Sequence, residues 1–169
     1  MSIKTAAELY AHAIAIEREA AERYAELARR MADQGNEELA AVFGRLAAFE
    51  REHLEALERR TAGVALPALK TDCSRLAAGS PETVAHALVS RHITPRQALD
   101  IALDGEMRAR AFFARVQRLA RDPALRALAR EMAAEEDQHI ALLEHARACA
   151  HNPFADWASV FEGPAAVQR

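Results

Sequence analysis

The sequence predicts an all-α protein, a four-helix bundle made of two antiparallel helical hairpins joined by a long crossover. Half of the 169 residues are hydrophobic (51%), much of that share is alanine, and only 5% are aromatic. This composition suits closely packed helices. Apolar residues also recur at alternating steps of four and three, which is the core-facing pattern of a bundled helix. Finally, a lone glutamate followed by a Glu-x-x-His pair occurs twice, once in each half.

The first hairpin is expected between residue 5 and about residue 60. Thr5-Ala-Ala-Glu8 has the pattern of a capping box, in which the two side chains satisfy backbone donors at a helix start. The helix then runs to about Met31. Asp33-Gln-Gly-Asn36 is typical of a turn, and Asn36 can cap a second helix that runs to about Arg60.

The second hairpin is expected from residue 94 to about Ala150. Thr94-Pro95 opens its first helix, with proline at the first helical position. Asp122-Pro123 ends that helix and opens the next one. These four helices predict one domain over residues 1–150.

Between the hairpins, residues 61–93 are too numerous for a tight turn and too apolar for a disordered linker. They are expected to form a crossover along the bundle, with Leu66 and Leu69 packing and a short helix beginning near Ser80-Pro81. Residues 151–169 form a C-terminal tail with several aromatic residues, which could dock on the bundle or on a neighbouring subunit.

The two Glu-x-x-His pairs lie where the apolar pattern continues. Glu50 and His53 extend the seam of the second helix, and Glu136 and His139 extend that of the fourth. Residues three apart project from one helix face. A single such pair on a helix is usually an ordinary surface pair, but two pairs on core seams favour a buried site.

Each pair has a lone glutamate at the same height on the neighbouring helix. Residues equidistant from the turn of an antiparallel hairpin lie level with each other. The midpoint of Glu17 and Glu50 falls between positions 33 and 34, and that of Glu106 and Glu136 falls at 121. Both midpoints lie in predicted turns, so both glutamate pairs should meet near mid-helix.

Together these side chains supply four carboxylates and two imidazoles, the set with which four-helix bundles hold two iron or manganese ions. Zinc also accepts such ligands. Four carboxylates would balance two divalent cations, whereas without metal some of them would have to stay protonated. The candidate metal ligands are Glu17, Glu50, His53, Glu106, Glu136 and His139.

Other polar and aromatic residues are expected to have structural roles or to lie at the surface. Tyr24 and Phe113 each follow a lone glutamate by seven residues and are expected to be core aromatics, although Tyr24 could hydrogen-bond a ligand glutamate. Glu52, Glu55 and Glu135 are expected to face solvent. The remaining histidines are expected at the surface or at helix ends: His12, His86, His92, His145 and His151.

On these residues the sequence resembles the ferritin-like di-iron carboxylate superfamily, and its rubrerythrin branch most closely. The resemblance is carried by residues 17–24, 49–53, 106–113 and 136–139. It implies a ferritin-like four-helix bundle whose irons react with dioxygen or hydrogen peroxide in a diferrous-to-diferric cycle. It also implies specific ligand roles: Glu50 and Glu136 bridge, Glu17 and His53 hold one iron, and Glu106 and His139 hold the other.

Departures from the relatives refine this expectation. Rubrerythrins carry a rubredoxin-like domain with paired CxxC motifs, which this sequence does not contain, so a separate electron-donor protein is expected. Ala109 stands where rubrerythrins tend to carry an extra glutamate, which makes the ligand set more like that of bacterioferritin. Arg51 stands where bacterioferritins place the haem-ligating methionine, so no haem is expected.

The leading functional hypothesis is a di-iron oxidoreductase that reduces hydrogen peroxide or dioxygen. Iron storage with a ferroxidase centre is an alternative that needs a hollow assembly. A di-iron hydroxylase is another, and it needs an apolar pocket beside the metals. A structural bundle that holds zinc or no metal is the fourth hypothesis. The resemblance alone suggests a homodimer or a larger homo-oligomer.

Charge and hydropathy argue against several partners. The net charge is −3, the pI is near 6.2 and both signs are interleaved, so neither nucleic acid nor an anionic membrane is an expected partner. The start of the chain has no signal-peptide core, and no segment has the roughly 18 apolar residues of a membrane span. Cys73 and Cys149 form no metal motif, and a cytoplasmic location is expected.

Overall fold

A computed structural model describes residues 3–69, 93–150, 157 and 159–162. The described part is helical, without strands, and it contains the two antiparallel hairpins predicted from the sequence. The helices are α1 (Ala6–Asp33), α2 (Glu37–Arg60), α3 (Pro95–Leu119), α4 (Pro123–Ala150) and the short α5 (Ser159–Glu162).

The helix boundaries follow local backbone chemistry. Thr5 forms a capping box at the start of α1, and Thr94 forms another at the start of α3. The α1–α2 turn contains Gly35 at φ 73°, a left-handed conformation that glycine adopts without a steric cost. Asn36 then accepts a 3.0 Å hydrogen bond from the backbone N–H of Leu39, as predicted for the cap of α2.

The core is divided into two apolar clusters along the bundle axis. The first apolar cluster surrounds the α1–α2 turn, and the second apolar cluster surrounds the α3–α4 turn. The largest members of the first are Tyr24, Leu27, Met31, Leu39, Phe43, Leu46, Leu99 and Leu143. The second is built mainly from Leu9, Ile14, Ile16, Phe113, Val116, Leu125 and Met132.

The ends of the crossover lie at opposite ends of the bundle. Leu66, soon after α2, packs against the second apolar cluster, whereas Ile93, just before α3, is buried in the first. Residues 61–93 therefore connect the two ends, which makes α2 and α3 parallel and gives the ferritin-like topology. The short helix predicted near Ser80 lies outside the described residues.

The described part of the tail returns to the bundle. Trp157 packs against the first apolar cluster, and Val160 is buried within it. The tail was expected to dock either on its own bundle or on another subunit, and these residues dock on their own bundle. Among the described helices, none combines the length and apolarity that a bilayer crossing requires.

Candidate metal centre

The six predicted ligands meet in one layer between the two apolar clusters. All four glutamates are buried, with exposures of 2% for Glu17, 1% for Glu50, 2% for Glu106 and 3% for Glu136. Carboxylates are almost never this buried without compensation, because the interior solvates a charge poorly. The helix registers predicted from the two midpoints therefore place charged groups where the core would otherwise be continuous.

The first group of candidate ligands comes entirely from the α1–α2 hairpin. Glu17, Glu50 and His53 each offer one ligand atom, and these atoms lie within 4.8 Å of one another. His53 Nδ1 is 3.9 Å from Glu17 Oε2, and the His53 side chain is 30% exposed. This half of the layer is thus open on its histidine side.

The second group draws on both hairpins. Glu50, Glu106 and His139 offer ligand atoms that again lie within 4.8 Å of one another. His139 Nδ1 is 3.0 Å from Glu50 Oε1 and 3.3 Å from Glu106 Oε2. Since Glu50 belongs to both groups, its carboxylate occupies the position that a bridging ligand requires.

Glu136 is the predicted ligand that neither compact group includes. Its Oε2 lies 3.9 Å from His139 Nδ1, and its carboxyl is hydrogen-bonded to Glu106. Its hydrogen bond is thus with the second group, while the charges of Glu17 and Glu50 also act on it. The ligand roles themselves, including the bridging role of Glu136, remain predictions.

Burial and crowding change the proton affinities of the layer. Burial, a hydrogen bond with Glu50 and the charges of Glu50 and Glu106 raise the pKa of Glu17 well above its usual value. Burial, a hydrogen bond with Glu106 and nearby carboxylate charges do the same to the pKa of Glu136. Without metal, these raised pKa values favour the protonated forms of the two carboxyls.

The pKa shifts of Glu50 and His139 show where charge remains in the layer. Burial acts to raise the pKa of Glu50, but its contacts with Glu17 and His139 bring that pKa below the usual value. Burial opposes protonation of His139, yet the contacts with Glu106 and Glu50 outweigh it and raise the pKa of His139 to about 10. The apoprotein thus holds an imidazolium against anionic Glu50 in a buried pair.

Two buried polar atoms indicate that these residues fit a metal ion. Glu50 Oε1 and His53 Nδ1 make no hydrogen bond in the described part of the protein. Although His139 Nδ1 is 3.0 Å from Glu50 Oε1, the contact lacks hydrogen-bond alignment. Leaving such atoms unpaired is unfavourable. A divalent cation would accept lone pairs from both of them, and from the other carboxylates, without needing a proton.

Aromatic residues fix the surroundings of the second group. The Tyr24 hydroxyl donates a short hydrogen bond to Glu106, so a core aromatic of the first hairpin holds a carboxylate of the second. The His139 ring contacts two rings of α2: Phe49, with centroids 6.2 Å apart, and His53, with centroids 5.3 Å apart. The interplanar angles of 5° and 17° make this a stack that restricts the orientation of His139.

Some predictions about other polar residues were wrong. His12 is only 3% exposed and packs against the ring of Phe112 at 5.5 Å, whereas a surface position was expected. Its place on the apolar face of α1 was the available signal. Glu135 is half-buried instead of solvent-facing, while Glu52, Glu55 and His145 are exposed as predicted. His86, His92 and His151 lie outside the described residues.

Comparison with known proteins agrees with this architecture. Residues 8–72, which span α1 and α2, match the model of the rubrerythrin family. The crystal structure of an uncharacterised conserved protein from Magnetospirillum magnetotacticum MS-1 superposes with a TM-score of 0.72 at 31% sequence identity. The alignment covers 98% of this chain and 99% of that one. No curated protein matches the chain.

The chain belongs to the rubrerythrin family of the ferritin-like di-iron superfamily. The family match falls on the hairpin that supplies Glu17, Glu50 and His53, while the whole-chain alignment extends over the hairpin that supplies Glu106, Glu136 and His139. As a rubrerythrin-family protein it has a ferritin-like bundle with glutamate and histidine groups that could hold metal.

Proposed function

We propose that this rubrerythrin-family protein is a di-iron oxidoreductase that reduces hydrogen peroxide or dioxygen. The observation that carries the proposal is the buried layer of four carboxylates and two imidazoles, with Glu50 shared between two ligand groups. Bound iron would supply the redox chemistry by cycling between its ferrous and ferric states. Glu17, Glu50 and His53 would hold one ion, and Glu50, Glu106, Glu136 and His139 would hold the other.

The side chains around the layer have separate tasks. The two apolar clusters close it from above and below, which keeps bulk water from the carboxylates along the bundle axis. Tyr24 fixes the orientation of Glu106 through its hydroxyl. Glu17 and Glu136 hold protons in the apoprotein, so loading with metal must release protons to solvent.

The proposal also covers the electron donor, the location and the oligomeric state of the protein. We propose that the electrons come from a separate donor, as the departure from the rubrerythrin pattern led us to expect. The protein acts in the cytoplasm as a homodimer or larger homo-oligomer. A storage function would require a hollow assembly, so the mass of the particle in solution separates oxidoreductase from storage protein.

The direct test is to load the apoprotein anaerobically with two Fe(II) per chain and to mix it separately with peroxide and with dioxygen. The rise of near-ultraviolet absorbance then reports oxidation to Fe(III). We expect rapid oxidation by at least one oxidant, and repeated turnover when a reductant is present. Glu50→Ala and His139→Ala should abolish turnover, since each removes a ligand of the layer.

Glu55→Gln is the matched control, because Glu55 is an exposed glutamate on the same helix as Glu50. It should oxidise iron at the rate of the unmodified protein. Peroxide and dioxygen turnover retained in both ligand variants would overturn the proposal. A large hollow particle that accumulates ferric mineral would replace it with iron storage.

A further inference from the structure

A cavity of about 720 Å³ lies between α2 and α4, beside the candidate metal layer. Its walls combine apolar and polar side chains, and α5 contributes Val160 to one wall. Partly enclosed cavities of this size and mixed lining are typical of sites for small organic molecules. The hydroxylase hypothesis required a pocket beside the metals, and a pocket is present.

The side chains that separate the cavity from the candidate metal layer determine which reactions a bound molecule could undergo. Both histidines, His53 and His139, line the cavity, whereas none of the four buried glutamates does. Both rings direct Nδ1 toward the carboxylates, at 3.9 Å from Glu17 and 3.0 Å from Glu50. The imidazole rings therefore stand between the cavity and the place where the carboxylates would hold metal.

This arrangement disfavours oxygen insertion and favours electron transfer. Hydroxylation requires the substrate carbon to reach the oxidant at the metal, and the two rings block that approach from this side. Electrons need no such contact, because they can pass through a ligand ring. The stacked rings of Phe49, His139 and His53 lie along the cavity wall, within 6.2 Å of one another from centroid to neighbouring centroid.

We infer that the cavity binds a small aromatic reductant of the hydroquinone class, which delivers electrons to the metal layer through the histidine rings. Leu142 and Val160 offer apolar surface for the ring, and Glu52 and Gln138 offer polar groups for its hydroxyls. The inference rests on the proposed function, and it makes the electron donor of that proposal a small molecule instead of a protein.

The redox balance closes with these reactants alone. Oxidation of a hydroquinone to its quinone breaks two O–H bonds and releases two electrons and two protons. Reduction of hydrogen peroxide to two waters breaks the O–O bond and consumes two electrons and two protons. No additional oxidant or reductant is needed.

Binding is tested separately from turnover. The protein is loaded with zinc, which has no redox chemistry, and is titrated with hydroquinone under argon while ligand-observed NMR follows binding. We expect saturable binding that Leu142→Trp weakens at least tenfold, because the larger indole would project into the apolar part of the cavity, where the hydroquinone ring is proposed to lie. Leu128→Trp is the matched control: it alters another half-buried leucine of α4, remote from the cavity.

Turnover then uses iron-loaded protein with peroxide and hydroquinone, followed by the appearance of quinone. Leu142→Trp should slow quinone formation at least tenfold, while single-turnover oxidation of Fe(II) without hydroquinone stays unchanged. Equal binding and equal quinone formation in both tryptophan variants would overturn the inference. The absence of saturable hydroquinone binding to the unmodified zinc form would overturn it as well.

The two proposals fail in different ways. If iron is never oxidised by either oxidant, the proposed function fails, although saturable hydroquinone binding to the zinc form would still identify the cavity as a ligand site. If iron is oxidised but hydroquinone neither binds nor reduces it, the cavity inference fails and the proposed function stands with another donor.

Discussion

The two hairpins carry the same ligand motif but give their histidines different surroundings. His53 is 30% exposed at its side chain, and its Nδ1 makes no hydrogen bond in the described part of the protein. His139 is 6% exposed, and its Nδ1 lies within 3.9 Å of oxygens of Glu50, Glu106 and Glu136. A repeated motif thus fixes which residues meet, while the neighbouring helices determine how each one is solvated and charged.

The same contrast appears seven residues after each lone glutamate. Tyr24 follows Glu17 and hydrogen-bonds Glu106 on the other hairpin. Phe113 follows Glu106 and has no hydroxyl that could donate a hydrogen bond to Glu17. One lone glutamate therefore has a fixed phenol partner and the other has none, so the second group is the better ordered of the two before metal binds.

The largest expected effect comes from Glu50, the carboxylate that the two ligand groups share. Glu50→Ala removes a ligand from both groups, so metal binding should fall from two ions per chain to none at micromolar metal. His53→Ala removes a ligand from the first group only and should leave about one ion. Isothermal titration with Zn(II) measures both stoichiometries, and two ions retained in Glu50→Ala would show that the groups do not share this residue.

The next effect is the pH dependence of apoprotein stability. The pKa of His139 rises from 6.5 to about 10 on folding, so its stabilising contribution is complete below pH 6.5 and is lost as pH rises toward 10. The raised pKa values of Glu17 and Glu136 act in the same direction. Above about pH 4.5 these carboxyls ionise in the unfolded chain but resist ionisation in the folded protein, which favours unfolding.

The unfolding free energy of the apoprotein should therefore fall between pH 6.5 and 10, by several kcal/mol at most, given about 1.4 kcal/mol per pKa unit. The Tm should fall with it. Metal affinity should rise over the same range, because metal competes with protons for the same atoms. Thermal melts of the apo and zinc forms check both slopes. A Tm that rises with pH in the apoprotein would contradict the assigned charges, and His139→Gln should flatten the slope.

Glu17→Gln tests what it costs the apoprotein to bury the Glu17 carboxyl, whose pKa is raised well above its usual value. The amide keeps the shape and can donate to Glu50, but it never ionises. At pH 7 the apoprotein should gain about 2 kcal/mol in unfolding free energy while losing affinity for metal. Urea denaturation measures the gain. Glu22→Gln changes an exposed glutamate five residues later on α1 and should be near neutral. An equal gain there would show that the gain does not come from the buried layer.

The smallest effect is expected at Tyr24. Tyr24→Phe removes one hydroxyl and leaves the Glu106 oxygen without that donor, which should lower apoprotein stability by about 1 kcal/mol. It should also weaken the second metal-binding step more than the first. Phe43→Leu changes a neighbouring aromatic in the same apolar cluster and should lower stability without this selectivity.

Most of the fold could be predicted because helical bundles have local signals. The capping residues Thr5, Asn36 and Thr94 marked three helix starts, and all three caps are formed. The glutamate midpoints placed Glu17 beside Glu50 and Glu106 beside Glu136, because the height on an antiparallel hairpin depends only on distance from the turn.

The rest of the site depends on contacts between hairpins, which helix periodicity does not specify. The packing of α2 beside α4 leaves the cavity lined by His53 and His139 between them, and it leaves His53 partly exposed. The burial of His12 likewise depends on Phe112 of α3 lying next to it. The sequence predicted that Tyr24 could bond a ligand glutamate, but which hairpin supplied that glutamate required the three-dimensional arrangement.

The two ligand groups also differ in how far apart their members lie along the chain. Glu17 and Glu50 are 33 positions apart within one hairpin, whereas Glu50 and His139 are 89 positions apart on different hairpins. The first group can assemble as soon as α1 and α2 pair during synthesis. The second cannot exist until both hairpins have docked, so an ion bound there would join two halves of the chain that only the crossover joins covalently. Metal bound in the second group would therefore report that the two hairpins have docked.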